Sequence, residues 1–256
     1  AARAQRYFRR AGWPVAPCLQ ELAAALYYGP ANVSEALDET ARLLAETDRG
    51  GRANVLAFRA GLQAMSGHFD EARGTAHEAR EIYDDLGWAV NVWTNCATVE
   101  GDVELLAGDA CAAEAVLAES CERLDAWGER AHLATQAAQL GEAVYRQGRF
   151  DDALHWSQVA AGCAASDDAG AQFLWRSLRA KTLARRGDVD EAAALGLQAA
   201  ERAARTDALS QRAQVLLDRA EVIVLSGDSS RAEAVTAEAT RLLGAKGNAA
   251  TLAGLQ

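Results

Sequence analysis

Apolar residues recur at helical spacing along almost the whole chain, and the recurrence is broken at regular points. Leu133, Ala137, Leu140 and Val144 fall at steps of four, three and four, which places them on one face of a helix. Beyond Gly148 the pattern resumes with Phe150, Ala153, Ser157, Ala160 and Ala164. The small residues at 153, 157 and 160 allow two helix backbones to approach closely. This stretch therefore predicts two antiparallel helices joined at a glycine.

The same arrangement recurs. Gly67, Gly108, Gly148, Gly187 and Gly227 stand 39–41 residues apart, and each has an Ala five positions further on. A glycine just past a helix end adopts the left-handed conformation without a Cβ penalty. Asp109, Asp188 and Asp228 follow their glycines directly and are placed to cap the next helix. Stop or N-cap signals at Asp48-Arg49-Gly50-Gly51, Leu86-Gly87, Trp127-Gly128, Ser166-Asp167-Asp168 and Thr206-Asp207 divide the chain. The units run over 16–49, 50–87, 88–128, 129–167, 168–207 and 208–245, followed by a tail at 246–256. The first is irregular: Tyr27-Tyr28-Gly29-Pro30-Ala31-Asn32 makes a longer turn, Asn32 or Ser34 caps the next helix, and a broken helix at 1–10 leads into a loop at 12–17. Self-similarity at this period predicts an all-α fold, a right-handed α-solenoid of about six antiparallel helix pairs forming a single repeat domain over 1–256.

Composition agrees. About a quarter of the residues are Ala, which carries the lowest helix cost, and the only prolines are Pro14, Pro17 and Pro30. The net charge is −10, and acidic residues mix with Arg along most helices. A nucleic-acid partner would require a basic stripe, so direct nucleic-acid contact is not expected. No stretch approaches the roughly 20 apolar residues of a membrane span, and no signal peptide opens the chain. The five cysteines (Cys18, Cys96, Cys111, Cys121, Cys163) contain no C-x-x-C pair, which fits reduced thiols packed as small hydrophobes in a cytoplasmic protein. The opening Ala1-Ala2-Arg3 reads as mid-helix sequence, so a segment of a longer protein is expected.

The Gly-x-aromatic-x-x-Ala core, with Leu140-Gly141 before Gly148 and Ala153 and Ala160 after it, resembles the tetratricopeptide repeat. The period near 40 departs from that repeat's 34, and its Trp, first-helix Tyr and closing Pro are mostly missing. Segments such as Val103-Glu104-Leu105-Leu106-Ala107-Gly108-Asp109, Leu174-Trp175-Arg176 and Lys246-Gly247-Asn248 look like the C-terminal helical region of multidomain bacterial adenylate cyclases and related AAA-type ATP-binding transcriptional regulators. That resemblance implies a repeat module lying after a cyclase or DNA-binding module and an ATPase.

No enzymatic constellation stands out. There is no Walker A motif and no G-x-G-x-x-G, so the resemblance carries no ATPase or cyclase residue onto this chain. His68, His77, His132 and His155 are scattered without metal-ligand spacing, and no cofactor or metal is expected. The acid pairs Asp84-Asp85, Asp151-Asp152 and Asp167-Asp168 sit at helix ends, where they serve the helix dipole. Cys111 and Cys121, ten residues apart on one helix, are too far apart for a disulfide. The six tryptophans are read mainly as packing, with Trp175, Arg176 and Arg179 as the cluster of most interest.

In a tetratricopeptide-like array the first helix of each unit lines the inner face. Aligning on the glycines places Asn54, Asn95, Thr135, Glu142, Lys181 and Glu221 there; with Trp175 and Arg179 they are the candidate partner or effector site. The function expected is a non-catalytic interaction or sensory scaffold. Its partner is a protein or peptide, the upstream domains of the same polypeptide, or a small effector. A receptor for a small-ligand or peptide inducer of a transcriptional activator is the alternative, and oligomer formation through terminal repeats is a further one.

Overall fold

The computed structural model describes residues 10–12 and 16–255. The expected broken helix at 1–10 and the loop with Trp13 and Pro14 fall largely outside these residues. Every regular element among the described residues is a helix: α1 (Ala16–Tyr28), α2 (Val33–Ala45), α3 (Arg49–Met65), α4 (Phe69–Asp85), α5 (89–107), α6 (Ala110–Trp127), α7 (Arg130–Arg146), α8 (Phe150–Cys163), α9 (Ala169–Arg186), α10 (Val189–Ala203), α11 (Leu209–Leu225), α12 (Ser229–Lys246) and α13 (Ala249–Ala253). Within α5 a π-helical turn, Val92–Cys96, separates α-helical Ala89–Asn91 from Ala97–Ala107.

The expected turn chemistry is present. Gly67, Gly108, Gly148, Gly187 and Gly227 all have positive φ, between 78° and 93°. At Gly187 the amide bonds to Ala184 O at 3.1 Å and that of Asp188 to Leu183 O at 3.0 Å, which satisfies the last carbonyls of α9. Asp109 accepts from the Ala112 amide at 2.9 Å and Asp228 from the Arg231 amide at 3.1 Å. The cap expected of Asp188 is not made: its side chain takes no capping hydrogen bond. Asn32 receives the Ser34 amide at 3.0 Å, and Asp48 and Asp168 cap α3 and α9.

The chain divides into two compact units. One holds the residues up to Ala107 together with those from Lys246 onward; the other holds Gly108–Ala245. The division cuts the expected 88–128 repeat at its glycine, and it assigns the tail to the first unit.

In the first unit α3 packs against α1, α2, α4 and α5. Leu19, Tyr27, Val55, Phe58, Leu62, Val99 and Val103 fill the core, each large aliphatic side chain contributing about 1.5–3 kcal/mol by burial. A Cβ on Gly61 would stand 2.3 Å from the Tyr27 ring, so the bare glycine of α3 makes room for that ring. The Tyr27 hydroxyl then donates to Asp102 of α5 at 2.7 Å. Arg73 and Arg80 of α4 grip Glu104 and Glu100 of α5 through paired nitrogens, with Nε–Oε1 distances of 2.8 and 2.9 Å. The tail docks through Lys246, which is fully buried. Its ammonium donates to the carbonyls of Leu26, Gly29 and Ala31 at 2.9, 2.8 and 3.0 Å, at the C-terminal end of α1 where the helix dipole favours a cation.

In the second unit the second helix of one pair lies against the first helix of the next, α6 on α7, α8 on α9 and α10 on α11. The first helices also touch one another, α7 on α9 and α9 on α11. Phe173, Ala199, Ala203 and Val215 form one cluster, and Ala180, Leu183, Ala184, Ala192 and Val222 another. Ala153, Ser157 and Ala160 are fully buried, as their size requires at the close α7–α8 contact.

All five cysteines are free thiols. Cys18, Cys96 and Cys121 are buried as expected, but Cys111 is exposed and packs against no core. Trp127 is likewise half exposed rather than packed. Among the described residues no helix is long and apolar enough to cross a membrane.

Candidate functional site

The glycine register places Glu142, Lys181 and Glu221 at equivalent points of α7, α9 and α11, and the second unit brings the three into one charged ladder. Lys181, in the C-terminal third of α9, is almost wholly buried. It pairs with Glu142 on one side, and its Nζ lies 3.0 Å from Asp218 Oδ1 on the other. Asp218 also accepts from Ser177 Oγ at 2.7 Å and Gln214 Nε2 at 2.9 Å. Glu142 accepts from Arg146 Nε at 2.8 Å. One turn further along, Tyr145 OH donates to Glu221 Oε1 at 2.5 Å, and Arg185 Nε lies 2.9 Å from the same carboxylate oxygen. The Tyr145 ring centre is 4.5 Å from the Lys181 ammonium.

The electrostatics follow from this geometry. Burial works against the charge on Lys181, but the carboxylates of Asp218 and Glu142 outweigh it and raise its pKa. Burial opposes ionisation of Glu142 as well, yet Lys181 and Arg146 together bring it down to about 2. Asp218 is pushed up: its burial and the neighbouring Glu142 charge exceed the pull of a lysine that it shares. The deep part of the ladder is thus internally neutralised. Its rim is open: the side chains of Arg146 and Arg185 are 36% and 42% exposed and that of Glu221 is 26% exposed. The rim offers donors and acceptors in fixed positions to a polar partner.

The other expected site residues go elsewhere. Asn54 is buried, and its amide is committed internally, donating to Ala16 O and accepting from Tyr83 OH, both at 2.9 Å. Asn95 is half-buried in the π-helical turn of α5. Thr135 is half-buried on α7, two turns before Glu142 on the same face by spacing. Trp175 and Arg179 lie on the side of α9 away from Lys181. Arg179 reaches Ser157 of α8 at 3.1 Å, and its guanidinium carbon stands 4.7 Å from the Trp175 ring centre. The ladder also contains residues that the register did not select: Tyr145, Arg146, Ser177, Arg185, Gln214 and Asp218. Most lie one helical turn from a selected position, so scanning three and four residues either side would have found them. Among the described residues, no three His, Cys, Asp or Glu side chains converge as a metal site.

No protein-family model matches the chain, and no curated protein sequence matches it. Solved structures match in fold. NprR in complex with its cognate peptide NprX aligns with a TM-score of 0.65 over 91% of this chain and 68% of that one, at 10% identity. The apo form of the quorum sensor NprR from B. thuringiensis gives 0.55 over 82% of this chain, at 10% identity, and this chain spans 58% of its length. BtubC (BKLC) from P. vanneervenii gives 0.54 over 86% of this chain and 92% of that one, at 18% identity. At such identities the likeness is one of fold: the chain is a tetratricopeptide-like helical repeat.

Proposed function

We propose that this chain is a non-catalytic binding module that takes a polypeptide segment along α7, α9 and α11 of the second unit. The observation that carries this reading is the ladder. Its deep charges are spent on one another, which fixes the side chains, while Arg146, Arg185 and Glu221 remain accessible at its rim. Pre-set donors and acceptors of both signs suit the backbone and polar side chains of an extended peptide. The fold shared with a quorum sensor solved with its cognate peptide supports the peptide over a sugar or other small inducer. The resemblance to the C-terminal region of adenylate cyclases and ATP-binding regulators supports a place in a cytoplasmic signalling protein. There a bound peptide would act by favouring one of two states of the attached output domain.

The test is selection of binders from a random peptide library displayed on phage, with the chain immobilised. Enriched peptides should bind Arg146→Ala and Arg185→Ala at least about tenfold more weakly, the loss expected for a charge-assisted hydrogen bond. Failure to enrich any peptide, or equal binding to both variants, would overturn the reading.

A further inference from the structure

On the face of α9 opposite Lys181, Arg176 and Arg179 hydrogen-bond only to neutral acceptors. Gln172, Trp175, Arg176 and Arg179 follow one another at helical spacing and share this face, where α8 and α10 flank the helix. The guanidinium carbons of Arg176 and Arg179 stand 4.0 and 4.7 Å from the Trp175 ring centre. Arg179 bonds to Ser157 Oγ at 3.1 Å and Ser157 O at 3.2 Å on α8. Arg176 bonds to Gln198 Oε1 at 3.3 Å on α10, and to Gln172 O and Oε1 at 2.7 and 2.5 Å.

Every one of those acceptors is neutral. Elsewhere the same chain gives Arg52, Arg73, Arg80, Arg149 and Arg185 a carboxylate each. Here the charges that act on Arg176 are other cations, Arg202, one turn beyond Gln198 on α10, and Arg179. Burial and those two arginines depress the pKa of Arg176; burial depresses that of Arg179 also, and only Glu191 opposes it. Acidic residues outnumber basic ones in the chain by 36 to 26, so the want of a carboxylate bonded to Arg176 or Arg179 is not a consequence of composition. The indole nitrogen of Trp175 adds a buried donor with no hydrogen-bond partner among the described residues. A donor left in that condition calls for an acceptor.

We propose that this face is an oxyanion-binding site, in which Arg176, Arg179 and Arg202 receive a carboxylate or phosphoryl group and Trp175 Nε1 supplies a further donor. The planar guanidinium matches both groups through paired N–H bonds. Neutral Gln172, Gln198 and Ser157 hold two of the arginines in place without cancelling their charge. A bound anion removes the mutual repulsion and satisfies the indole together. The site lies on a different face from the ladder, so it stands or falls independently of it.

The indole N–H signals of the ¹⁵N-labelled chain provide the test, with the Trp175 signal identified by its loss in Trp175→Phe. Sodium phosphate and sodium glutarate are titrated separately against sodium chloride at matched ionic strength. A saturable shift of the Trp175 signal with phosphate alone assigns a phosphoryl ligand, with glutarate alone a carboxylate, and with both a general oxyanion site. Arg176→Gln and Arg202→Gln, each checked for unchanged thermal unfolding, should weaken binding about tenfold. Shifts equal to those of chloride, or undiminished binding by the better-folded of the two variants, would overturn the proposal.

Discussion

Lys181 Nζ lies 3.0 Å from Asp218 Oδ1 across the seam between α9 and α11, and the same ammonium holds Glu142 of α7. One buried cation therefore ties three successive first helices. A pair of this kind adds modestly to stability while intact, since desolvation offsets most of the attraction, but it is costly to break. Lys181→Ala should destabilise the protein by about 3–5 kcal/mol, because it leaves two buried carboxylates facing each other. Lys181→Ala combined with Asp218→Asn should recover part of that loss. Urea unfolding of the two variants checks this; a single variant no less stable than the double would contradict it.

The glycines separate two kinds of constraint. Gly61→Ala drives a methyl to within 2.3 Å of the Tyr27 ring, and the cost should be about 1–3 kcal/mol, with the hydrogen bond from Tyr27 to Asp102 displaced. Gly187→Ala meets no atom within 4 Å, and its cost comes from the left-handed backbone at φ +93°, about 1 kcal/mol. Thermal unfolding should rank Gly61→Ala as the more damaging. The reverse order would mean that the Tyr27 ring has room to move aside.

Capping differs between two aspartates that occupy the same place in their repeats. Asp109 receives the Ala112 amide at 2.9 Å, while Asp188 receives none. Asp109→Ala should cost about 1 kcal/mol and Asp188→Ala only a few tenths, as judged by denaturant midpoints.

Burial pushes the Lys246 ammonium down to about 8. An unfolded lysine keeps its proton to about 10.4. Between those values the unfolded chain binds more protons than the folded one, so this group makes stability rise with pH there, and its charge-burial cost is fully present below the window. Raising the pH from about 7.5 to 9.5 should stabilise the natural chain relative to Lys246→Met by about 1–2 kcal/mol. Parallel pH responses of the two proteins in urea unfolding would refute the assignment.

What the sequence could and could not disclose follows from the range of each signal. Helix period and turn glycines act locally, so the helix pairs, and the placement of Glu142, Lys181 and Glu221 on neighbouring first helices, were readable in advance. Asp218, Tyr145 and Arg185 belong to the same ladder but lie a turn away from the register chosen. Arg179 is two residues from Lys181, yet that step carries it about 200° around the helix, so nearness in the chain misgrouped the two. Asn54 sits at a position that a polar pattern assigns to solvent; the two internal hydrogen bonds that bury it come from α4 and from the start of α1. The docking of Lys246 joins residues more than two hundred positions apart, and no periodicity encodes such a contact.

The two Arg–Glu grips between α4 and α5 are spaced seven residues apart on one helix and four on the other. Two bolts through a pair of rods resist sliding in a way that one cannot: because the arginines and the glutamates are spaced differently, a shift of a single turn lets at most one of the two grips form again. These helices should travel as one plank. Any rearrangement of the first unit would then have to bend at its loops, leaving the α4–α5 seam shut.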